Sequence, residues 1–241
     1  MLEAEHVTKR FGGLVAVDDV TFSIDDSEIV GLIGPNGAGK TTLFNTVAGV
    51  YQPEEGQISF NGQELVGLKP HTISRKGIMR TFQTARTFNE LTVIENVLGG
   101  AVFGRDDSGS LAEERERCWE YLEFIGLEDK AEDLTSSLTI AHRKQLELAR
   151  ALAGNPQLIL VDEIASGLTP TEIEELSENL SDVREEYGIS VFWIEHVMDA
   201  IMSTTDRIIV LNQGSIIAKG TPHEIQNHPQ VAEAYLGGAE A

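Results

Sequence analysis

The chain has almost no cysteine: Cys118 is the single one in 241 residues. A lone thiol excludes an internal disulfide and suits a reducing compartment. Long hydrophobic runs are missing too. No stretch approaches the roughly 18 apolar residues that a membrane-spanning helix needs. The opening MLEAEHVTKR has no apolar segment of the kind a signal peptide carries. The expectation is a soluble, cytosolic protein. Basic residues are also scarce, 18 against 39 acidic ones, for a net charge of −21. Such a field repels phosphate backbones, so a nucleic-acid partner is disfavoured. The acids gather in LAEERERCWEYLEFIGLEDKAED and TEIEELSENLSDVREEYG. Their plain reading is solvated helix faces; adaptation to a high-salt cytoplasm is the alternative.

What is present is a composition of 41% hydrophobic residues, enough for the core of one large domain or two small lobes. Residues 1–24 read as short strands, with Val20, Phe22 and Ile24 alternating. EIVGLIG (28–34) is a buried strand ending in glycine, followed by a helix from about Lys40 to Ala48. QISFNG (57–62) is a strand with a turn. ELTVIENVLGGAVFG and LAEERERCWEYLEFIGL read as helices, the second with Cys118, Leu122 and Ile125 on one side. In SLTIAHRKQLELAR, Ser137 or Thr139 caps a helix whose Leu146, Ala149 and Leu152 recur at helical spacing. LILVDE (158–163) and SVFWIEH (190–196) are continuous apolar strands, with an amphipathic helix carrying Ile173, Leu176, Leu180 and Val183 between them. RIIVLNQGSIIAKG (207–220) is a hairpin. Alternating buried strands and helices imply a mainly parallel α/β sheet, with the helix-rich middle, about 85–154, inserted as a lobe.

Three strand ends carry chemistry. GPNGAGKTT (34–42) satisfies G-x-x-x-x-G-K-[ST] with Gly34, Gly39, Lys40 and Thr41, between a predicted strand and a predicted helix. Its glycines let amide groups curl around a phosphate, and the helix N-terminus adds positive potential. Lys40 is expected to reach the β- and γ-phosphates and Thr41 to ligate Mg²⁺. In LILVDE, Asp162 fits the acid that holds Mg²⁺, and Glu163 fits a group that orients or deprotonates an attacking water. His196 ends SVFWIEH, where strands finishing on one sheet edge gather their terminal residues around a ligand. It is placed to touch the γ-phosphate or the water beside Glu163.

Nearly the whole chain resembles the ATP-binding subunits of ABC transporters, most closely the branch serving uptake of branched-chain and other hydrophobic amino acids. The segments KRFGGLVAVDDVTFSI, GPNGAGKTT, RTFQ, LARALAGNPQLILVDE, ASGLTP, IEH and GTPHEIQNHPQVAEAYLG follow the family's order. The resemblance implies a P-loop NTPase fold with a RecA-like core (1–84 and 155–241), an N-terminal antiparallel β subdomain and a helical signature subdomain (85–154). It implies that Phe11 stacks on adenine and that Pro35, Asn36, Gly37, Ala38 and Thr42 complete the phosphate loop. Gln83 becomes the glutamine that senses Mg²⁺ and faces membrane subunits, Glu163 the catalytic acid and His196 the switch histidine. Two such subunits, identical or not, would close head to tail around ATP and Mg²⁺. They would work at the cytoplasmic face of the membrane with two permease subunits and, indirectly, an extracellular substrate-binding protein. Thr84–Leu91 is the expected permease contact.

The sequence departs from the family where LTIAH (138–142) replaces LSGGQ or LSYGQ. Thr139 keeps a hydroxyl for the partner's γ-phosphate, and His142 retains a polar group. Ala141 adds a Cβ that is costly only if that position needs positive φ. Ile164 replaces a proline, and Thr169 an aspartate, of the family pattern. Two functions are therefore weighed: an active importer ATPase, and the regulatory half of a heterodimer with one weakly hydrolysing site. A non-transport ABC ATPase of DNA repair or translation is the third, disfavoured by length and charge.

Overall fold

The computed structural model describes residues 1–104 and 110–236. Gly237, the last residue of the C-terminal segment above, lies outside them. The strands and helices run, in chain order, β1 (Leu2–Phe11), β2 (Leu14–Ile24), β3 (Ile29–Ile33), α1 (Lys40–Val47), β4 (Glu55–Phe60), β5 (Gln63–Glu64), α2 (Pro70–Arg75) and β6 (Ile78–Arg80). Then come α3 (Val93–Gly104), α4 (Leu111–Phe124), α5 (Ile140–Ala153), β7 (Leu158–Asp162), α6 (Pro170–Tyr187) and β8 (Ser190–Ile194). The chain finishes with α7 (Met198–Thr204), β9 (Arg207–Asn212), β10 (Ser215–Gly220), α8 (Pro222–Gln226) and α9 (Pro229–Leu236). They fall into two compact units, residues 1–73 with 190–241, and residues 74–189.

In the first unit, β1 and β2 form one long antiparallel hairpin rather than several short strands. The reason is Gly12, whose positive φ closes the turn without Cβ strain. β4 and β5 extend this sheet. Next to it in sequence, β3 lies between β8 and β9, parallel to both. Every residue of β3 and β8 is buried, so both strands read as continuous apolar runs instead of alternating ones. β10 closes antiparallel on β9, completing the expected hairpin.

In the second unit, β6 and β7 pair in parallel, with Arg80 level with Leu160. Helices α3, α4 and α5 share a core of Val93, Ile94, Val97, Cys118, Leu122, Leu146 and Ala149. The single thiol is therefore a buried apolar group. α3 begins at Val93 because Thr92 caps it, accepting the Glu95 N–H while Glu95 accepts the Thr92 N–H. Ser110 and Glu113 build the same reciprocal cap on α4. The predicted apolar face of α6 is inward at Leu176, Leu180 and Val183, with Ile173 half-buried.

Candidate functional site

The first unit holds the glycine-rich loop between β3 and α1. Gly34 leaves the strand so close to its neighbour that a Cβ would stand 2.1 Å from the Leu211 carbonyl oxygen. Gly39 sits at the N-cap of α1 with φ 102°, and a Cβ there would meet the Ala16 carbonyl oxygen at 2.3 Å. The loop is thus fixed by backbone approach, which leaves Asn36 and Gly37 exposed and Pro35 half-buried. Ala38 is buried, its N–H donating to the Pro35 carbonyl and its carbonyl accepting from Gly214. Lys40 is buried and its Nζ donates to the carbonyls of Gly34 (2.7 Å) and Pro35 (3.1 Å). The ammonium is held inside the curl of the loop by backbone carbonyls. Thr41 is exposed and Thr42 half-buried, at the start of α1.

Because β3 and β8 run parallel, with Leu32 level with Ile194, the segments leaving them emerge at one edge. His196 follows β8 there, exposed, with its backbone N–H held by the Glu195 carboxylate at 2.7 Å. Phe11 ends β1, 41% exposed, its ring braced edge-on by Tyr51 at 5.1 Å and approached by Lys9 at 5.2 Å. A cavity of about 570 Å³ adjoins the loop between Pro35–Ala38 and the β9–β10 hairpin and α9, including Gln213 of the hairpin turn and Gln230 and Glu233 of α9. Tyr235 of α9 comes up against the backbone of Gly34, and partial burial pushes its phenol above the usual range. Sequence reasoning missed this tyrosine, since nothing in AYLG announces a contact with a loop two hundred residues earlier.

The second unit holds the acids. Asp162 ends β7, is buried, and pairs with Arg80 at the end of β6 at 2.7 Å. Glu163 comes next with φ 47°, a left-handed conformation uncommon for a residue with a Cβ. This turns its side chain off the strand direction, and its Oε2 accepts from Gln83 Nε2 at 2.7 Å. Adjacent in sequence, Asp162 thus meets Arg80 and Glu163 meets Gln83. An Asp162 carboxylate and a Thr41 hydroxyl are both hard oxygen donors that suit Mg²⁺, which keeps several waters and takes few protein ligands.

The same unit carries LTIAH. Thr139, not Ser137, is the N-cap of α5: its Oγ1 accepts the His142 N–H at 3.2 Å, while Ser137 lies in a preceding 3-10 turn. Thr139 is exposed and its hydroxyl proton remains able to donate. Ala141 sits inside the first helical turn, where a Cβ carries no strain. His142 is half-buried. No acid of α5 itself occupies its first turn, so the helix does not neutralise its own positive end. Thr169 caps α6 in a reciprocal cap with Glu172, a role a threonine fills as well as an aspartate.

A model of the ABC transporter family matches residues 17–166, and one of the branched-chain amino acid ATP-binding cassette transporters matches residues 215–241. The high-affinity branched-chain amino acid transport ATP-binding protein LivG of Escherichia coli is 41% identical, over 99% of this chain and 98% of the relative. The ADP conformation of MJ1267, an ATP-binding cassette of an ABC transporter, superposes with a TM-score of 0.89 at 30% identity, covering 98% of each chain. The dimeric structure of MJ0796, a bacterial ABC transporter cassette, gives 0.83 at 27% identity, covering 92% of this chain and 99% of that one. With the phosphate loop, the strand-end acids and the capped signature helix in the family's order, this chain belongs to the ABC transporter family, among its ATP-binding, ATP-hydrolysing subunits.

Proposed function

We propose that the chain powers an importer of branched-chain or related amino acids. The observation that carries this reading is full-length likeness to LivG together with the C-terminal match at residues 215–241. The importer's engine would be two such subunits closing head to tail, at the cytoplasmic face of the membrane, beneath two permease subunits served by an extracellular binding protein. Residues 1–84 and 155–241 would act as the nucleotide core and 85–154 as the signature subdomain, with Thr84–Leu91 against the permease.

ATP would lie with adenine on the Phe11 ring and its phosphates in the curl from Gly34 to Thr42. Lys40 would exchange its bonds to the Gly34 and Pro35 carbonyls for bonds to phosphate oxygens, so the loop's own geometry keeps the cation in place before nucleotide arrives. Thr41, Asp162 and Gln83 would hold magnesium, which would supply neutralisation of phosphate charge. Glu163 would align water and accept its proton, with His196 at the γ-phosphate. From the partner, Thr139, His142 and the α5 N-terminus would complete the phosphate shell. Ala141 lies in helix, which favours a competent signature over the regulatory alternative.

The test is to purify the intact membrane complex, reconstitute it in vesicles and measure ATP-dependent uptake of leucine, isoleucine and valine with the cognate binding protein. Uptake of none of them, with ATP hydrolysis intact, rejects the cargo class. Copurification with ribosomes or DNA instead of permeases rejects transport.

A further inference from the structure

On α5, three charged side chains recur at i, i+3 and i+6: Lys144, Glu147 and Arg150. In a helix with 3.6 residues per turn that spacing usually marks a solvated stripe. Here Lys144 is 4% exposed and Glu147 2%. Charges so far from water need partners, and all three find them on loop backbone. Glu147 Oε1 accepts the Arg86 N–H at 2.7 Å, and Oε2 accepts the Phe82 N–H at 3.3 Å. Arg150 lies 3.1 Å from the same Oε1 and donates to the Arg86 carbonyl. Lys144 donates to the carbonyls of Ile164 and, at 2.6 Å, of Ser166. The Arg86 guanidinium folds back over the Phe82 ring at 4.2 Å, keeping the loop compact.

These anchors bracket one hydrogen bond. Gln83 lies between Phe82 and Arg86, and Glu163 directly precedes Ile164; the two meet at 2.7 Å. We propose that Glu147, seconded by Lys144 and Arg150, is a positioning residue that locks the 82–86 loop to the signature helix, so that displacement of Thr84–Leu91 moves Gln83 and the α5 N-terminus together. Glu147 touches no nucleotide. It acts through backbone, by fixing the loop on which Gln83 stands. Charge-assisted bonds to two amides give one carboxylate the grip that a purely apolar contact lacks. The proposal deepens the importer reading and rests on it for the identity of whatever displaces the loop.

The test compares Glu147→Ala with Glu147→Gln, which keeps a carbonyl oxygen for the amides. In the isolated chain, backbone deuterium exchange over residues 82–86 should quicken by about tenfold or more in Glu147→Ala, and much less in Glu147→Gln. ATP affinity of the isolated chain should stay unchanged in both. In the reconstituted complex, stimulation of ATPase by loaded binding protein should fall about tenfold in Glu147→Ala and recover substantially in Glu147→Gln. Unchanged exchange in Glu147→Ala overturns the tether, whether or not the complex transports. Faster exchange with undiminished stimulation overturns the coupling role. Loss of ATP affinity in the isolated Glu147→Ala chain overturns it too, by showing general damage. A wild-type complex without stimulated ATPase would instead reject the importer reading, leaving the exchange result to judge the tether.

Discussion

Arg80 Nη2 stands 2.7 Å from Asp162 Oδ2, with the two side chains only 13% and 8% exposed. The acid proposed to hold magnesium is thus charge-paired with an arginine of the neighbouring strand. Breaking a buried pair by removing one partner is costly, because the other charge stays behind unpaired. Arg80→Met should therefore destabilise the metal-free chain by about 3 kcal/mol, and Mg²⁺-ATP should restore much of the loss by supplying another cation. Thermal unfolding with and without Mg²⁺-ATP checks this; equal destabilisation in both conditions counts against Asp162 as the metal acid.

Glu163 Oε2 accepts a hydrogen bond from Gln83 Nε2 at 2.7 Å. Glu163→Gln keeps the shape and removes the proposed base. Hydrolysis should drop by about 10²–10⁴-fold while ATP binding persists. Steady-state phosphate release and equilibrium nucleotide binding separate the two, and a variant that hydrolyses at the wild-type rate removes Glu163 from catalysis.

Ala141 lies in the first turn of α5. Restoring glycine there should not raise turnover, and it should cost the helix up to about 1 kcal/mol. Thr139→Ala should cost about 1 kcal/mol through the lost cap and also lower hydrolysis, because the exposed hydroxyl goes with it. A sharp rise in ATPase for Ala141→Gly would revive the regulatory-half reading.

Gly39→Ala meets both a positive φ and the Ala16 carbonyl oxygen at 2.3 Å. The phosphate loop must shift to admit the methyl, so ATP binding should be lost. Titration with a fluorescent ATP analogue reads the effect directly, and wild-type affinity would mean the loop is less constrained than its contacts indicate.

Burial raises the Glu147 carboxyl above its ordinary 4.5, although the Arg86 and Phe82 amides, Arg150 and Lys144 all pull the other way. A pKa raised on folding means that the native state holds the proton more tightly. This contribution to stability is full below 4.5 and is lost as pH rises through the elevated value. The stability of the wild type minus that of Glu147→Gln should accordingly fall as pH increases from 4.5, then level off. Denaturant unfolding across that range provides the measurement, and a constant difference would show that folding leaves the carboxyl unshifted.

The sequence by itself determined the phosphate loop, the Asp162–Glu163 pair, the buried strands and the helical core with Cys118. Each of these follows from local chemistry: glycines where backbone must curl, unbroken apolar runs where both strand faces are covered, helical spacing where one face is buried. It also offered Ser137 and Thr139 as equal caps and left Ala141 conditional on its φ. Only the tertiary structure decided those, because the start of α5 depends on the turn before it. Partners distant in the chain were illegible for the same reason. Arg80 reaches Asp162 because β6 and β7 pair in parallel, and Tyr235 reaches Gly34 because α9 returns beside the loop. Lys144, Glu147 and Arg150 stand at a spacing that usually marks a solvated stripe, and periodicity reports which residues share a face but not what covers it. The fold covers theirs with the backbone of two loops, and that turns three ordinary surface residue types into the anchors of the site.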